Sequence, residues 1–399
     1  MVRYELPIRW NLFDASRVQT ALVEAKAAVQ VLQTLPYQRS WVDKLQEMQL
    51  KREVAGTSRI EGADFTEREL DEAVRPDVTP GELMTRSQRQ AHSAMKAYRW
   101  IGTLPADRPI SSDLIREVHR RIVTGCDDDH CPPGMLRGRD HNVTFGIPIH
   151  RGVEGGPACE EAFAALLYAF RAELQELDPL VQALTLHYHL AAMHPFLDGN
   201  GRTARAAEAL VLQRAGLTDR AFIAMSNYYY DEKPEYLRVL SETRAEGHNL
   251  TSFLLFGLRG IKRQCEILTA EIRRQMQKAL YRDTMYSLFN RLKTKRKRVI
   301  GERQIEILKS LLEEDRIPFI DLYKRVRPFY MSLNSVIPAF SRDFVQLGAI
   351  GAIRVEWAES DPDAGLISIN LNWPQEIDES EFLRRMKTMP KGRTFKFLP

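Results

Sequence analysis

The chain of 399 residues has 44% hydrophobic and 28% charged side chains, and its formal net charge is +4. This length predicts two or three domains, and a charge so close to balance gives no general indication of nucleic-acid binding. The absence of a signal sequence and of any run of about 18 uncharged apolar residues argues against a membrane span. Four cysteines do not predict a disulfide framework in a chain of this length, so we expect a cytoplasmic protein without membrane contact.

The first hundred residues are predicted to form an N-terminal helical segment, residues 1–100. Ala, Val and Leu recur at helical spacing over residues 15–35, and residues 40–59 are charged and amphipathic. Pro76 within residues 71–79, with Pro80 directly after them, indicates a turn there. Residues 82–100 are expected to be helical again.

The central part, residues 101–260, is predicted to alternate helices with one long irregular stretch, residues 125–157. That stretch is rich in Gly, Pro, Asp and His, and a loop of this length is usually functional or disordered. Within it, the alternation of residues 142–147 is typical of a β-hairpin. The helical patterns around it are residues 113–123, a segment from residue 160, and residues 179–192.

The C-terminal part changes in character after a charged helical connector, residues 261–299, which ends in the basic run 293–298. Residues 300–375 contain three helical patterns followed by two alternating segments. Three helices and a two-stranded ribbon are the elements of a winged helix-turn-helix. The helices are expected at residues 304–314, 319–325 and 333–347, the strands at 350–356 and 366–371 with a turn at 361–365 between them, and a C-terminal tail at 376–399.

Residues 194–205 carry the side chains best suited to chemistry. Pro195 disfavours helical geometry at His194, so a helix is expected to end there. Gly199 and Gly201 free the backbone to turn, and a new helix is expected to begin directly afterwards. Backbone N–H groups at the start of a helix bind phosphate. The stretch therefore predicts a phosphate site.

Polar side chains extend this predicted site. Asn200 adds a side-chain donor, and Arg202 and Arg205 lie three apart on one helical face, where they can bind further phosphate oxygens. Asp198 is the sole acidic group expected there, and its carboxylate is the ligand that Mg²⁺ prefers when it also binds phosphates. His194 can be neutral near pH 7, as a general base must be.

The same residues resemble the Fic family motif, H-x-F-x-D/E-G-N-G-R-x-x-R, at every specified position. The resemblance implies a mainly α protein with a Fic-type core that transfers AMP from ATP, with Mg²⁺, to Ser, Thr or Tyr hydroxyls of target proteins, itself included. It implies that His194 deprotonates the hydroxyl, that Asp198 holds Mg²⁺, and that Arg205 contacts the γ-phosphate. The intact Gly-Asn-Gly-Arg loop favours AMP transfer over Doc-like phosphorylation. The implied nucleotide-binding residues are Glu61, Gly199, Asn200, Gly201, Arg202, Thr203, Ala204, Arg205 and Tyr236.

A second segment, residues 57–62, resembles the family's inhibitory motif, S/T-x-x-x-E-G/N. Thr57 and Glu61 are four residues apart and share one helical face. The resemblance implies that Glu61 pairs with Arg205 in the place of the γ-phosphate, so that ATP binds without its productive geometry. The plainer alternative is a surface helix that ends at Gly62.

Two further roles follow from the resemblance. Residues 136–146 occupy the place of the family's β-hairpin flap, where Val143, Thr144 and Phe145 would pair with the target by strand addition. The alternative is an uninvolved surface loop. Tyr236 matches an aromatic residue at the adenine wall, and tyrosine faces suit base stacking, although buried core tyrosines are commoner.

Cysteines and a histidine near the irregular stretch invite a zinc interpretation, but their spacing fits no ordinary zinc pattern. We interpret them as separate side chains. They are Cys126, His130, Cys131 and Cys159.

Two alternatives to AMP transfer stay open. A DNA-binding regulator could use the Fic core as a nucleotide sensor, with the winged helix and the basic run 293–298 contacting phosphate. Alternatively, Glu61 could activate a water and remove AMP from modified targets. The target protein, the nucleotide preference and homodimerisation are also open, as is the choice between DNA and protein as the partner of the winged helix.

Overall fold

The computed structural model describes residues 2–36, 38–75, 77–82, 85–127, 130–146, 148–218, 222–293, 295–358 and 361–387. The fold is mainly helical, as predicted. The chain divides into two compact units, Met1–Glu271 and Ile272–Pro399. Some positions used in the sequence predictions lie outside the described residues: Pro76 of the predicted turn, Ile147 of the predicted hairpin, Thr294 of the basic run, and residues 388–399 of the predicted tail.

The N-terminal helices confirm most of the predicted pattern. Helix α1 (Ala15–Thr34) and helix α2 (Arg39–Ile60) match their predictions to within one residue. A short helix, α3 (Glu67–Ala73), was missed, and its last residues fall in the predicted turn. It forms because Thr66 begins a capping box, which satisfies two backbone donors at the helix start. Helix α4 (Arg86–Gly102) follows.

The core of the first unit lies around two buried helices, α7 (Pro179–Met193) and α8 (Asn200–Leu212), which pack against each other. Every residue of α7 from Leu180 to Met193 is buried, in keeping with a sequence that is apolar on all sides. The loop that joins the two helices is therefore held between rigid elements. The remaining helices are α5 (Ser112–Val123), α6 (Pro157–Ala172), α7 (Pro179–Met193), α8 (Asn200–Leu212), α9 (Met225–Asp231), α10 (Lys233–Ala245) and α11 (Thr251–Asn290).

A small sheet borders the first unit. Its strands are β1 (Val2–Arg3), β2 (Thr144–Phe145) and β3 (His150–Arg151), in the order β1-β3-β2. Strand β1 runs parallel to β3, and β2 runs antiparallel to it with Phe145 opposite His150. Of the residues 142–147 predicted to form a hairpin, Thr144 and Phe145 form one strand, and its partner β3 lies beyond them. The hairpin flap stays a prediction.

The second unit contains helices and a three-stranded antiparallel sheet of order β4-β6-β5. Its apolar core includes residues from every one of its longer helices. The order of elements is compatible with the predicted winged helix, which stays a prediction. The elements are α12 (Lys295–Glu313), β4 (Arg316–Pro318), α13 (Phe319–Val326), α14 (Val336–Ala349), β5 (Ile353–Ala358), β6 (Asp361–Ile369), α15 (Trp373–Glu376) and α16 (Glu379–Lys387).

Three sequence predictions for this unit were wrong. Strand β4 was missed because a strand of three residues is too short to show a period. Residues 361–365 form no turn between strands but belong to β6, where Gly365 pairs with Trp357. The predicted tail contains α16 and the last residue of α15, and Phe382 is buried against Phe289 with ring centroids 5.3 Å apart.

Helix α11 continues through the predicted start of a connector at residue 261. The finer domain limits therefore stay predictions beyond the division at Glu271. Within the described ranges, no helix combines the length and the apolarity that crossing a bilayer requires.

Candidate active site

His194 ends α7 in the left-handed region, with φ 48°. This conformation is strained for a residue with a Cβ. The helix stops here, as Pro195 predicted. The imidazole Nδ1 donates to the Ala191 carbonyl at 2.5 Å, because a carbonyl oxygen can only accept. Nε2 therefore keeps its lone pair and is the atom available as a base.

Burial keeps this imidazole neutral. Desolvation lowers the pKa of His194 to about 4, and the nearby Arg244 adds to the effect. Phe145 of β2 covers the ring, with centroids 3.5 Å apart and planes 6° apart. Of the other expected flap residues, Thr144 is exposed and Val143 accepts a backbone hydrogen bond from Gly152 at 3.1 Å.

The loop after His194 is held by its own side chains. Asn200 accepts from the Phe196 N–H and donates to the Phe196 carbonyl, both at 2.9 Å. The expected side-chain donor of Asn200 is thus used inside the loop, which leaves its backbone N–H for an anion. Phe196 is buried, and its ring stacks on His119 with centroids 3.7 Å apart. Gly199 has φ 72°, which suits glycine, and precedes the first residue of α8.

Asp198 lies among cationic and acidic groups at the rim of this loop. Its Oδ1 accepts from the Gly199 N–H at 2.6 Å, and its Oδ2 lies 3.1 Å from Arg86 Nη2 and 3.3 Å from His130 Nε2. The ligand atoms of Asp198, Asp127 and His130 lie within 4.8 Å of one another and could hold a metal ion. The carboxylate of Asp198 is 38% exposed, so it fits a Mg²⁺ ion that also keeps water or phosphate ligands.

Asp127 corrects the expectation that Asp198 is the sole acidic group here. Its carboxylate is fully buried and lies 2.8 Å from Arg202 Nη1 and 2.6 Å from Arg86 Nη2. Burial alone would raise the pKa of Asp127, but Arg202 and Arg86 hold it at about 2. Sequence reasoning missed this residue because it lies about seventy positions before the motif, in the irregular stretch. Its only signal was a run of three acids, residues 127–129.

Two buried arginines line the start of α8. The Nε of Arg202 has no hydrogen-bond partner among the described residues, although its Nη1 pairs with Asp127. Arg205 donates from Nε to Thr57 Oγ1 at 2.8 Å and from Nη2 to Glu61 Oε1 at 2.6 Å. An unpartnered buried donor is costly, so Arg202 is poised for an anion, whereas Arg205 is already paired.

Glu61 lies against the phosphate loop itself. A Cβ built on Gly201 would overlap Glu61 Oε1, so the carboxylate touches the backbone at the start of α8. Burial alone would raise the pKa of Glu61, but Arg205 and the neighbouring Arg202 lower it overall. Gly62 follows at φ 87° and ends the helix, as the motif suggested. The expected contact between Glu61 and Arg205 is therefore present.

The sequence of this site has known relatives. Residues 109–212 match the sequence profile of the Fic/DOC family. The chain contains a Fic domain. The matched residues include His194, Asp198, Arg202 and Arg205, whereas Glu61 lies upstream of them.

Homology extends to protein adenylyltransferases. The fic-1 adenylyltransferases of Caenorhabditis briggsae and Caenorhabditis elegans are 32% and 31% identical to this chain over 107 residues, which is 27% of this chain and 20% of each relative. The Fic adenylyltransferase of Nematostella vectensis is 34% identical over 112 residues, or 27% of this chain and 24% of that protein. The match thus spans about a fifth to a quarter of these relatives.

Solved structures show the same fold. A Fic family protein from Desulfovibrio desulfuricans superposes with a TM-score of 0.55 at 16% identity, covering 92% of this chain and 98% of the other. Fic-1 from Caenorhabditis elegans superposes with a TM-score of 0.51 at 21% identity, covering 63% of this chain and 71% of the other.

Tyr236 lies in the interior of the Fic-containing unit. Its hydroxyl is 2.8 Å from His187 Nε2, and its ring stacks on Tyr229 with centroids 4.7 Å apart. It is 2% exposed, and burial raises its pKa to about 12. Its expected contact with adenine stays a prediction, as do the nucleotide contacts of Thr203 and Ala204, whose side chains are buried in α8.

The cysteines do not assemble into a zinc site. Among the described residues, the cluster that could hold a metal contains no thiol. Burial raises the pKa of Cys126 to about 12, and those of Cys131 and Cys159 are also raised. Our interpretation of these cysteines as separate side chains stays a prediction. His130, by contrast, reaches Asp198.

Proposed function

We propose that this protein transfers AMP from ATP to a hydroxyl side chain of a target protein, itself included, and that Glu61 restrains the reaction. The observation that carries the proposal is the neutral His194, whose Nε2 is free beside an anion-binding helix start. In the reaction the hydroxyl oxygen bonds to the α-phosphorus, the bond from that phosphorus to the bridging oxygen breaks, and pyrophosphate leaves. Nε2 of His194 takes the hydroxyl proton.

The chain's own groups position the phosphates. The backbone N–H groups that follow Gly199 would donate to a phosphate at the start of α8, where the helix dipole favours negative charge. Arg202 and Arg205 are buried and rigid, so they add charge without a large loss of side-chain entropy on binding. Transfer of this kind depends mainly on positioning and charge neutralisation.

Asp198 would hold Mg²⁺, with Asp127 and His130 close enough to contribute. A bound Mg²⁺ would neutralise charge that develops on the phosphate oxygens. Arg86 Nη2 lies within 3.1 Å of Oδ2 of Asp198 and of Nε2 of His130. Arg86 therefore contacts both of these side chains in this structure.

Glu61 competes with ATP for Arg205. One guanidinium edge of Arg205 is held by Glu61 Oε1 and by the backbone and side-chain oxygens of Thr57. An ATP molecule that binds beside this pair cannot place its γ-phosphate on the same edge. A misplacement of about 1 Å at the reacting atoms can cost about 10²-fold in rate.

Labelling with two forms of ATP tests the transfer. The protein with Glu61→Gly is incubated with α-labelled or γ-labelled ATP, Mg²⁺ and cell lysate. Label that appears in the lysate without this protein, which includes γ-label from the lysate's own kinases, is subtracted. AMP transfer predicts label on protein from the α-position alone. The control is Glu61→Gly with His194→Ala, for which we expect a loss of about 10²–10⁴-fold because the general base is removed, with ATP binding retained. Label from γ-labelled ATP, or equal labelling by the control, would refute the proposal.

A second candidate function belongs to the second unit. The order of its elements, α12-β4-α13-α14-β5-β6, supports a winged helix with α14 as the recognition helix. Arg342 on this helix is 33% exposed, although Asp343 pairs with it at 3.0 Å. Fluorescence anisotropy with random duplex DNA tests the role. If this unit binds DNA, the anisotropy of the duplex should rise on adding the protein, and the affinity should fall with salt and with Arg342→Ala. No binding at low salt would exclude this role.

A further inference from the structure

Helix α2 is tied to the rest of the first unit by a buried carboxylate two turns before Glu61. Glu53 is 1% exposed. Its Oε2 accepts from the Ser226 N–H at 2.7 Å, and its Oε1 accepts from the Tyr98 hydroxyl at 2.8 Å and from the Ser226 hydroxyl. Ser226 lies in the first turn of α9, and Tyr98 belongs to α4. One side chain of α2 thus joins three helices.

A carboxylate at this position has a directional role. Burial raises the pKa of Glu53 to about 7, against the lowering effect of its hydrogen bonds, so its burial is costly. An apolar side chain would fill the same space without that cost, but it would not fix the crossing angle or the register of α2 against α9. Glu53 also satisfies a backbone donor at the start of α9, where no side chain of α9 itself provides a cap.

Gly56 gives a second, independent contact between the same helices. A Cβ at this position would come within 2.5 Å of the backbone atoms of Ser226 and Asn227. The backbones of α2 and α9 are therefore in direct contact, and any larger residue must push them apart. Glycine inside a helix is less stable than alanine, and the close approach of the two backbones explains why glycine stands here.

These contacts set the position of the C-terminal half of α2. Thr57 directly follows Gly56, and Glu61 lies about 12 Å from Glu53 along the axis at 1.5 Å per residue. Beyond them, Lys233 Nζ donates to the Ile60 carbonyl at 2.8 Å and holds the last turn. The C-terminal half of α2, held at Glu53 and Gly56 and again at Ile60, presents Glu61 at one place.

We propose that Glu53 and Gly56 form an anchor that seats α2 on α9 and so places Glu61 against Arg205. Glu53 is a positioning residue, since it touches neither Arg205 nor the phosphate loop. The inference rests on the proposed restraint by Glu61. It adds that the restraint is released when α2 is lifted from α9, with Glu61 and Arg205 both intact.

The test uses the full chain with Gly56→Ala, and its matched control is Gly102→Ala. Gly102 ends α4, and nothing lies within 4 Å of a Cβ there. Overpacking at Gly56 has to move α2, so we expect hydrogen exchange of residues 57–62 to accelerate about tenfold or more. α-Labelled ATP should then label the Gly56→Ala protein well above wild type. The control should leave both readouts unchanged.

Combination with Glu61→Gly separates positioning from general loosening. An anchor that acts through Glu61 predicts that Gly56→Ala and Ser226→Ala raise labelling in the wild-type background and add nothing to Glu61→Gly. The direct variant is Glu53→Ala. If it does not fold, Ser226→Ala replaces it, because this change removes only the hydroxyl that donates to Glu53. Exchange of residues 57–62 that stays at the wild-type rate in Gly56→Ala would overturn the proposal, as would equal activation in both backgrounds.

The two proposals fail in different ways. If Glu61→Gly leaves labelling at the wild-type level, the restraint by Glu61 is refuted. The exchange of residues 57–62 in Gly56→Ala then still decides whether the anchor seats α2. If Glu61→Gly activates and Gly56→Ala accelerates exchange without activation, the restraint stands and the anchor does not control it.

Discussion

Phe145→Ala should change how the reaction depends on pH. Phe145 stacks on His194 at 3.5 Å and helps to exclude water from the imidazole, whose pKa lies at about 4. The neutral form is the base, so activity is present above the pKa and is lost as pH falls through it. Removing the phenyl ring admits water, which should raise the pKa towards the ordinary value of about 6.5.

The size of the effect follows from the two pKa values. At pH 5.5 a histidine with a pKa of about 4 is about 97% neutral, whereas one at about 6.5 is about 9% neutral. The ratio of labelling rates at pH 5.5 and pH 7.5 should therefore stay near 1 with Phe145 in place. Full exposure would lower it about tenfold.

The assay is initial labelling with α-labelled ATP at saturating concentration, with Glu61→Gly as the active parent. The ratio of the two rates cancels a uniform loss of target binding, which Phe145→Ala would also cause if β2 contacts the target. Nucleotide affinity is measured at both pH values as a control. A tenfold fall in the parent at pH 5.5 would refute the argument that burial keeps His194 neutral. An unchanged ratio in Phe145→Ala would show that the stacked ring does not set its pKa.

Three further outcomes are expected. Asp198→Asn should raise the Mg²⁺ concentration at half-maximal rate about tenfold or more, because a charged oxygen ligand is lost, and an unchanged Mg²⁺ titration would argue against this role. Glu61→Gln should raise labelling less than Glu61→Gly, since the amide keeps the bulk but not the charge, and labelling at the level of Glu61→Gly would show that charge is decisive. Adding Arg205→Ala to Glu61→Gly should abolish the increase in labelling. Phe196→Ala should lower the free energy of unfolding by about 3–5 kcal/mol, and a denaturant midpoint that does not move would contradict its place in the core.

Most helices were predictable because their signals are local. The end of α7 at His194 follows from Pro195, and the start of α8 follows from the glycines of the loop. Strand β4 and the short helix α3 were missed, since short elements show no period and are decided by their partners.

The order of residues along the chain by itself determined the chemistry of the motif. His194, Asp198 and both arginines lie within one loop and the first two turns of α8, so their spacing alone brings them together. The resemblance also identified Glu61 as a partner of Arg205. These features needed no knowledge of distant contacts.

Only the tertiary structure decided which distant groups join them. Asp127 meets Arg202, and Phe145 covers His194, because loops far from the motif in sequence fold back over it. Glu53 reaches Ser226 across 173 positions. Such contacts leave no local pattern in the sequence, because they depend on how whole helices pack. An acidic residue in an amphipathic helix is therefore predicted to be exposed, and only the tertiary structure shows that it is buried among hydrogen-bond partners.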